Sequence, residues 1–252
     1  MNTSHIGTEI AIIKDDPKNK NVKIFVSGDE DEHEHVKFFD KLELKNGKFQ
    51  YIPDIKRTDR ITNIYVVGAN GSGKSFWIKD YVIYFIKITK NKYPIYLFSS
   101  KDEDEELDSI KEIKRVKIDN SFVSNPMRYE DLSSSLVIMD DIDAFRGKIK
   151  DEIYHLRDLI LKNGRSYHIN IICSSHDACG KENSTALCEC EALIFFLKNY
   201  NAKMRYLLEN YIGLDINQIK TLRKNKSRST VYVKSYPNVI LQEKNIYVMN
   251  SI

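Results

Sequence analysis

Between Ile61 and Leu197, short apolar and β-branched runs alternate with stretches of helical period. Ile61–Val67, Pro94–Ser99, Ser135–Met139, Ile169–Cys173 and Ala192–Leu197 read as buried strands, with a further short strand expected at Arg115–Ile118. Between them, Trp77, Tyr81, Tyr84 and Ile88 fall on one helical stripe, with Ile78, Val82 and Phe85 on a neighbouring one. A second helix carries Ile149, Ile153, Leu156 and Ile160 on one face and stops at Asn163-Gly164. This alternation predicts an α/β fold with a mainly parallel central sheet flanked by helices. The ends read differently. Residues 1–58 hold strand candidates at Glu9–Ile13 and Val22–Val26, an acidic run from Asp29 to His35, and a hairpin pattern over Phe38–Ile52 around Asn46-Gly47. They are expected to form a small β-rich cap, separate from a core over residues 59–252. That core closes with a helical region near Ala202–Leu222 and a β-hairpin near Thr230–Met249.

The first strand of the core runs into Gly68-Ala69-Asn70-Gly71-Ser72-Gly73-Lys74-Ser75, which has the form G-x-x-x-x-G-K-[ST]. Glycines let backbone N–H groups turn around a phosphate chain where side chains would block the approach. Lys74 supplies charge for the β- and γ-phosphates of ATP, and the Ser75 hydroxyl is a candidate Mg²⁺ ligand. The helix that starts there, with Phe76 in its first turn, aims its free N–H groups at the bound anion.

A second strand ends in Asp140-Asp141. Asp140 at the C-terminal edge of a parallel sheet faces the same side as the phosphate loop, so Ser75 and Asp140 are the candidate metal residues. Asp141 is the candidate catalytic base for the attacking water, with Asp143 as its competitor. A third strand ends in Ser174-Ser175-His176, and His176 is the choice for a residue that senses phosphate or orients water. Arg165 is the candidate arginine finger for a neighbouring subunit's site, with Arg146 and Arg157 as rivals.

Composition narrows the partners. The 252 residues carry a formal net charge of only +3, so nucleic-acid contact must come from local clusters. Arg205, Lys220, Arg223, Lys224, Lys226 and Arg228 form such a cluster. No run reaches the roughly 18 apolar residues of a membrane span. Four cysteines and a polar N-terminus point to a reducing, intracellular compartment. His33 and His35 read as part of a solvated acidic loop. His176, Cys179, Cys188 and Cys190 also offer four zinc ligands within a short span, although the C-x-C pair is tight and the loop between is long.

The two nucleotide motifs, the Asp140-Asp141 pair, Asn163-Gly164-Arg165 and the polar strand end Ser174–His176 together resemble the DNA-packaging ATPases of nucleocytoplasmic large DNA viruses, the poxvirus-type enzymes within the FtsK–HerA superfamily. The resemblance covers about residues 60–250. It implies a RecA-like sheet in which the phosphate-loop and Asp140 strands flank the sensor strand. It also implies a homo-oligomeric ring, a pentamer or hexamer, that moves double-stranded DNA into a capsid, with viral assembly proteins as partners and the host cytoplasm or virion as location. Carried over by position, Lys74 and Ser75 hold phosphates and Mg²⁺, Asp140 is the Walker B acid, Asp141 is the catalytic acid and Arg165 acts in trans. A glutamine commonly ends the sensor strand in that family, where this chain has His176. The other classes compatible with the phosphate loop are a small-molecule kinase and a non-hydrolysing nucleotide switch. The acidic pair argues against the kinase, and a GTPase lacks support because no Asn-Lys-x-Asp element is present.

Overall fold

The computed structural model describes residues 7–19, 21–26, 41–52, 61–235 and 237–249. The acidic run at 29–35, with His33 and His35, lies outside them. The strands are β1 (Thr8–Lys14), β2 (Lys23–Val26), β3 (Lys41–Glu43), β4 (Lys48–Tyr51), β5 (Asn63–Val67), β6 (Ile95–Ser99), β7 (Ile113–Arg115), β8 (Leu136–Asp140), β9 (Asn170–Ser175), β10 (Ala192–Phe195), β11 (Thr230–Val233), β12 (Asn238–Gln242) and β13 (Asn245–Met249). The helices are α1 (Lys74–Thr89), α2 (Asn120–Ser124), α3 (Gly147–Asn163), α4 (Ser184–Glu189), α5 (Ala202–Tyr206) and α6 (Ile216–Lys224).

The chain divides into two compact units, Ile55–Cys190 and a second made of Met1–Asp54 with Glu191–Ile252. In the first, the sheet order is β5-β9-β8-β6-β7 and every pair is parallel. This is the parallel α/β arrangement the alternation predicts, and β9 lies between the phosphate-loop strand and the Asp140 strand. All five residues of β5 and of β8 are buried, as expected of parallel strands covered on both faces. Helix α1 buries Ile78, Tyr81, Val82, Phe85 and Thr89, so the Ile78 stripe is its core face. Helix α3 buries Ile153, Leu156, Ile160 and Leu161, together with Arg157. Gly164 does not take a left-handed cap; its φ is −57°, the chain runs on as a tight turn over Gly164–Tyr167, and His168 takes the left-handed place at φ 54°. The short strand expected at Arg115–Ile118 falls earlier, at Ile113–Arg115 beside β6.

The other unit is antiparallel. One sheet has the order β2-β1-β4, and β3-β13-β12-β11-β10 form a run of antiparallel pairs. Two expectations change here. The Asn46-Gly47 turn exists, with Gly47 at φ 72°, but β3 pairs with β13 and β4 with β1, so the turn separates two sheets and closes no hairpin. The terminal hairpin is a three-stranded meander, because Asn245–Met249 continues from β12 to the far side and pairs with β3. That pairing, with Leu44 N–H donating to Lys244 O at 2.9 Å, belongs to a unit that groups Met1–Asp54 with Glu191–Ile252, where the pattern along the chain separates 1–58 from 59–252.

Candidate active site

The site lies within the unit Ile55–Cys190, where β5, β8 and β9 end on one edge of the sheet. Register fixes this: Val67 stands opposite Ser175, Met139 opposite Cys173, and Gly68 N–H donates to Ser175 O at 3.2 Å. Gly71 and Gly73 take φ 68° and 106°, which glycine adopts without strain. Nothing lies within 4 Å of where a Gly71 side chain would begin, and the buried Ser72 Oγ has no hydrogen-bond partner among the described residues. The first turn of α1 carries no acid, and Trp77 N–H donates to Gly73 O at 3.0 Å. An open loop with an unsatisfied hydroxyl at a helix N-terminus fits a phosphate chain.

Lys74 is buried and its ammonium turns back over the loop, donating to Gly68 O at 3.1 Å. It also lies 3.2 Å from His176 Nδ1 and 3.5 Å from Asp141 Oδ1. His176 Nε2 is 3.2 Å from the same Asp141 oxygen. Because an ammonium only donates, a neutral His176 satisfies both contacts with its proton on Nε2 and its Nδ1 accepting. Sequence-predicted Lys74, Asp141 and His176 therefore form one triangle.

Asp140 is completely buried. Ser174 Oγ donates to its Oδ1 at 2.6 Å and accepts from Asp141 N–H at 3.1 Å. Burial, then the charge of Asp141, pushes the Asp140 carboxyl up, against the pull of Ser174 and Lys101. A carboxylate so placed fits a divalent cation, which removes the penalty of burying its charge. Asp141 shifts the opposite way. Burial raises it, but the Lys101 hydrogen bond and the charges of Lys74 and Lys101 outweigh this and hold it below the usual range. Its backbone is left-handed at φ 49°, and the peptide is held on both sides, since its carbonyl accepts from Ser100 Oγ at 2.9 Å. A non-glycine residue in this region stores about 1 kcal/mol and aims its carboxylate off the strand axis.

Asp143 is not beside Lys74; it accepts from Ser175 Oγ at 3.2 Å and from His176 N–H at 3.5 Å, which fits a brace on the β9 tip. Ser75 Oγ donates to Asp104 Oδ2 at 3.0 Å, and Lys101 Nζ lies 2.8 Å from Asp141 Oδ2 and 3.5 Å from Asp140 Oδ2. Reading along the chain does not reach these two roles, because the residues sit in an aperiodic loop after β6 and only pairing of β6 with β8 carries them to the site. Asn183, just before α4, carries no motif signal either and reaches the site through Arg157 of α3. It donates to Ser175 Oγ at 3.2 Å and accepts from Arg157 Nη1 at 3.2 Å.

The candidate arginines separate. Arg157 is buried, bonded to Asp158, Asn183 and Glu182 O and placed 4.2 Å over the Tyr154 ring, so it is a structural anchor and cannot reach another subunit. Arg165 is exposed in the turn before β9, at the sheet edge opposite Ser174–His176, and so away from its own chain's site. Arg146 is exposed after β8 and donates to Asp143 O and Phe145 O. Phe76 is exposed on the first turn of α1. The zinc set does not assemble among the described residues: His176 faces Lys74 and Asp141, Cys188 is exposed, and buried Cys190 contacts Leu187 O at 3.6 Å. In the other unit, Lys220, Arg223 and Lys224 are exposed on α6, Arg223 lies 4.4 Å over Tyr200, and Arg205 pairs with Glu209 at 2.8 Å. No helix among the described residues is long and apolar enough to cross a membrane.

No protein-family model matches the chain. Among solved structures, the cytoplasmic domain of the Type VII secretion ATPase EccC of Thermomonospora curvata is similar with a TM-score of 0.53 at 13% identity, covering 84% of this chain and 29% of that one. The DNA-packaging ATPase B204 of Sulfolobus turreted icosahedral virus gives a TM-score of 0.49 at 16% identity, covering 77% of this chain and 98% of that one. The fold is that of the P-loop NTPases. At 32% identity over 231 residues, 90% of this chain and 89% of the relative, the chain belongs to the family of the uncharacterized protein V3 of Sputnik virophage.

Proposed function

We propose that the chain is a Mg²⁺-dependent ATPase that couples hydrolysis to movement of double-stranded DNA, in packaging of a viral genome. The observation that carries the ATPase half is the convergence of Lys74, Ser75, Asp140, Asp141 and His176 from three strand ends at one sheet edge. Loop N–H groups and Lys74 bind the β- and γ-phosphates, drawing the ammonium away from Gly68 O and His176. Ser75 and Asp140 hold Mg²⁺, which when bound neutralises phosphate charge and fixes its orientation. Asp141, its carboxylate aimed from a left-handed backbone, accepts the proton of the attacking water, and His176 orients that water or reads the γ-phosphate. Arg165 completes the site of a neighbouring subunit in a homo-oligomeric ring, a role that agrees with its place on the far edge of its own sheet.

The DNA half rests on the sequence resemblance to viral packaging ATPases and on the exposed row Lys220, Arg223 and Lys224, which can follow a phosphate backbone. Capsid or other assembly proteins are the partners that role requires. The test is ATP hydrolysis with and without double-stranded DNA for wild type, Asp141→Asn and Arg165→Ala. DNA-stimulated turnover should be lost in each variant and return when the two are mixed, because only a mixed ring pairs an intact Asp141 with an intact Arg165. Turnover indifferent to DNA refutes the motor, and turnover untouched by Asp141→Asn refutes the assignment of the base.

A further inference from the structure

The loop after β6 brings a lysine into the acidic heart of the site. Lys101 Nζ lies 2.8 Å from Asp141 Oδ2, 3.5 Å from Asp140 Oδ2 and 3.8 Å from Asp104 Oδ2. The loop is latched there at two points. Ser75 Oγ, the candidate metal hydroxyl, donates to Asp104 at 3.0 Å, and Ser100 Oγ donates to Asp141 O at 2.9 Å. Asp140 and Asp141 are both buried, whereas the Lys101 side chain keeps 41% of its surface in solvent. A tethered cation with a route to water thus sits against two acids that have none.

We propose that Lys101 is the resident counter-ion of the nucleotide-free site, holding the place of the divalent cation until the metal and nucleotide displace it. The inference rests on the reading of Ser75 and Asp140 as the metal residues. Two adjacent buried carboxylates repel each other, and a single ammonium between them removes that repulsion without a bound metal. The same contact weakens Asp141 as a base. An ammonium at 2.8 Å favours the charged form of the carboxylate and so makes it a poorer acceptor for a proton from water. Displacement of Lys101 therefore opens the cation site and restores the basicity of Asp141 in one movement. The partly exposed stem lets the amine swing into solvent without breaking the core.

The test reads metal binding and not turnover. Mn²⁺ is titrated into the full chain without nucleotide, and free Mn²⁺ is followed by electron paramagnetic resonance. Wild type should bind weakly. Lys101→Met, which keeps the stem and removes the charge, should bind one Mn²⁺ per chain about ten-fold more tightly or better. Lys101→Arg should behave as wild type, and Asp140→Asn added to Lys101→Met should abolish the gain. Equal or weaker Mn²⁺ binding by Lys101→Met overturns the proposal, as does a gain that survives Asp140→Asn. Circular dichroism establishes that each variant is folded. Neither nucleotide nor DNA enters the titration, so loss of the ATPase or DNA reading leaves this result standing, and the reverse holds as well.

Discussion

Ser174 makes the most exacting stability prediction. Its hydroxyl donates to Asp140 Oδ1 at 2.6 Å and accepts from Asp141 N–H at 3.1 Å, and all three residues are buried. Ser174→Ala removes a hydrogen bond to a charged group, worth about 1.5–3 kcal/mol, and leaves the Asp141 N–H unsatisfied, which costs about 1–3 kcal/mol. Some relaxation around the left-handed Asp141 offsets part of this, so a loss of about 3 kcal/mol is expected. The loss should depend on pH. Asp140 already has its carboxyl pushed up, by burial first and the Asp141 charge second, and the Ser174 hydrogen bond is the strongest pull against that push. A carboxyl raised in the folded state binds more protons there than when unfolded, so its ionisation subtracts stability above its unfolded value, and acid relieves the penalty. Without Ser174 the folded value rises further. The difference between wild type and variant should therefore be largest near neutral pH and shrink as pH falls through the carboxylate range. Urea unfolding in metal-chelating buffer at several pH values measures both terms. A difference below about 1 kcal/mol that is flat with pH would refute the reasoning, since it would mean that neither bond stabilises the ionised pair.

Other perturbations separate structural residues from functional ones. Arg157→Met breaks four hydrogen bonds of a buried guanidinium and unties Asn183 from it, and should cost about 2–3 kcal/mol in thermal or chemical unfolding, whereas exposed Arg165→Ala should stay within about 0.5 kcal/mol. At Gly47 an added Cβ meets Lys14 O at 2.5 Å at a φ of 72°, so Gly47→Ala should destabilise by about 2 kcal/mol, read from the shift in urea midpoint. Replacing Lys220 and Lys224 with Gln should flatten the dependence of log DNA affinity on log salt by about 1 per residue in fluorescence anisotropy titrations. An unchanged slope removes α6 from the DNA surface.

Much of the catalytic unit is legible along the chain because its signals are local. A β-branched run, a glycine loop, Lys-Ser and a helical stripe occupy consecutive residues, and steric and phosphate-binding requirements act within that window. The same holds for β8 ending in Asp140-Asp141 and for the polar tip of β9. What the chain alone does not decide is pairing. A turn at Asn46-Gly47 is as good a boundary between two sheets as within a hairpin, and only β13 alongside β3 selects the former. Lys101, Asp104 and Asn183 carry no periodic or motif signal, and they become site residues because β6 lies beside β8 and because α3 anchors Asn183 through Arg157. Arg146, Arg157 and Arg165 look alike as letters, yet Arg157 is buried while Arg146 and Arg165 are exposed, the one after β8 and the other before β9. Covalent neighbours set the phosphate loop, and long-range strand register sets what surrounds it, since hydrogen-bond pairing between distant strands depends on the whole core and on no single stretch.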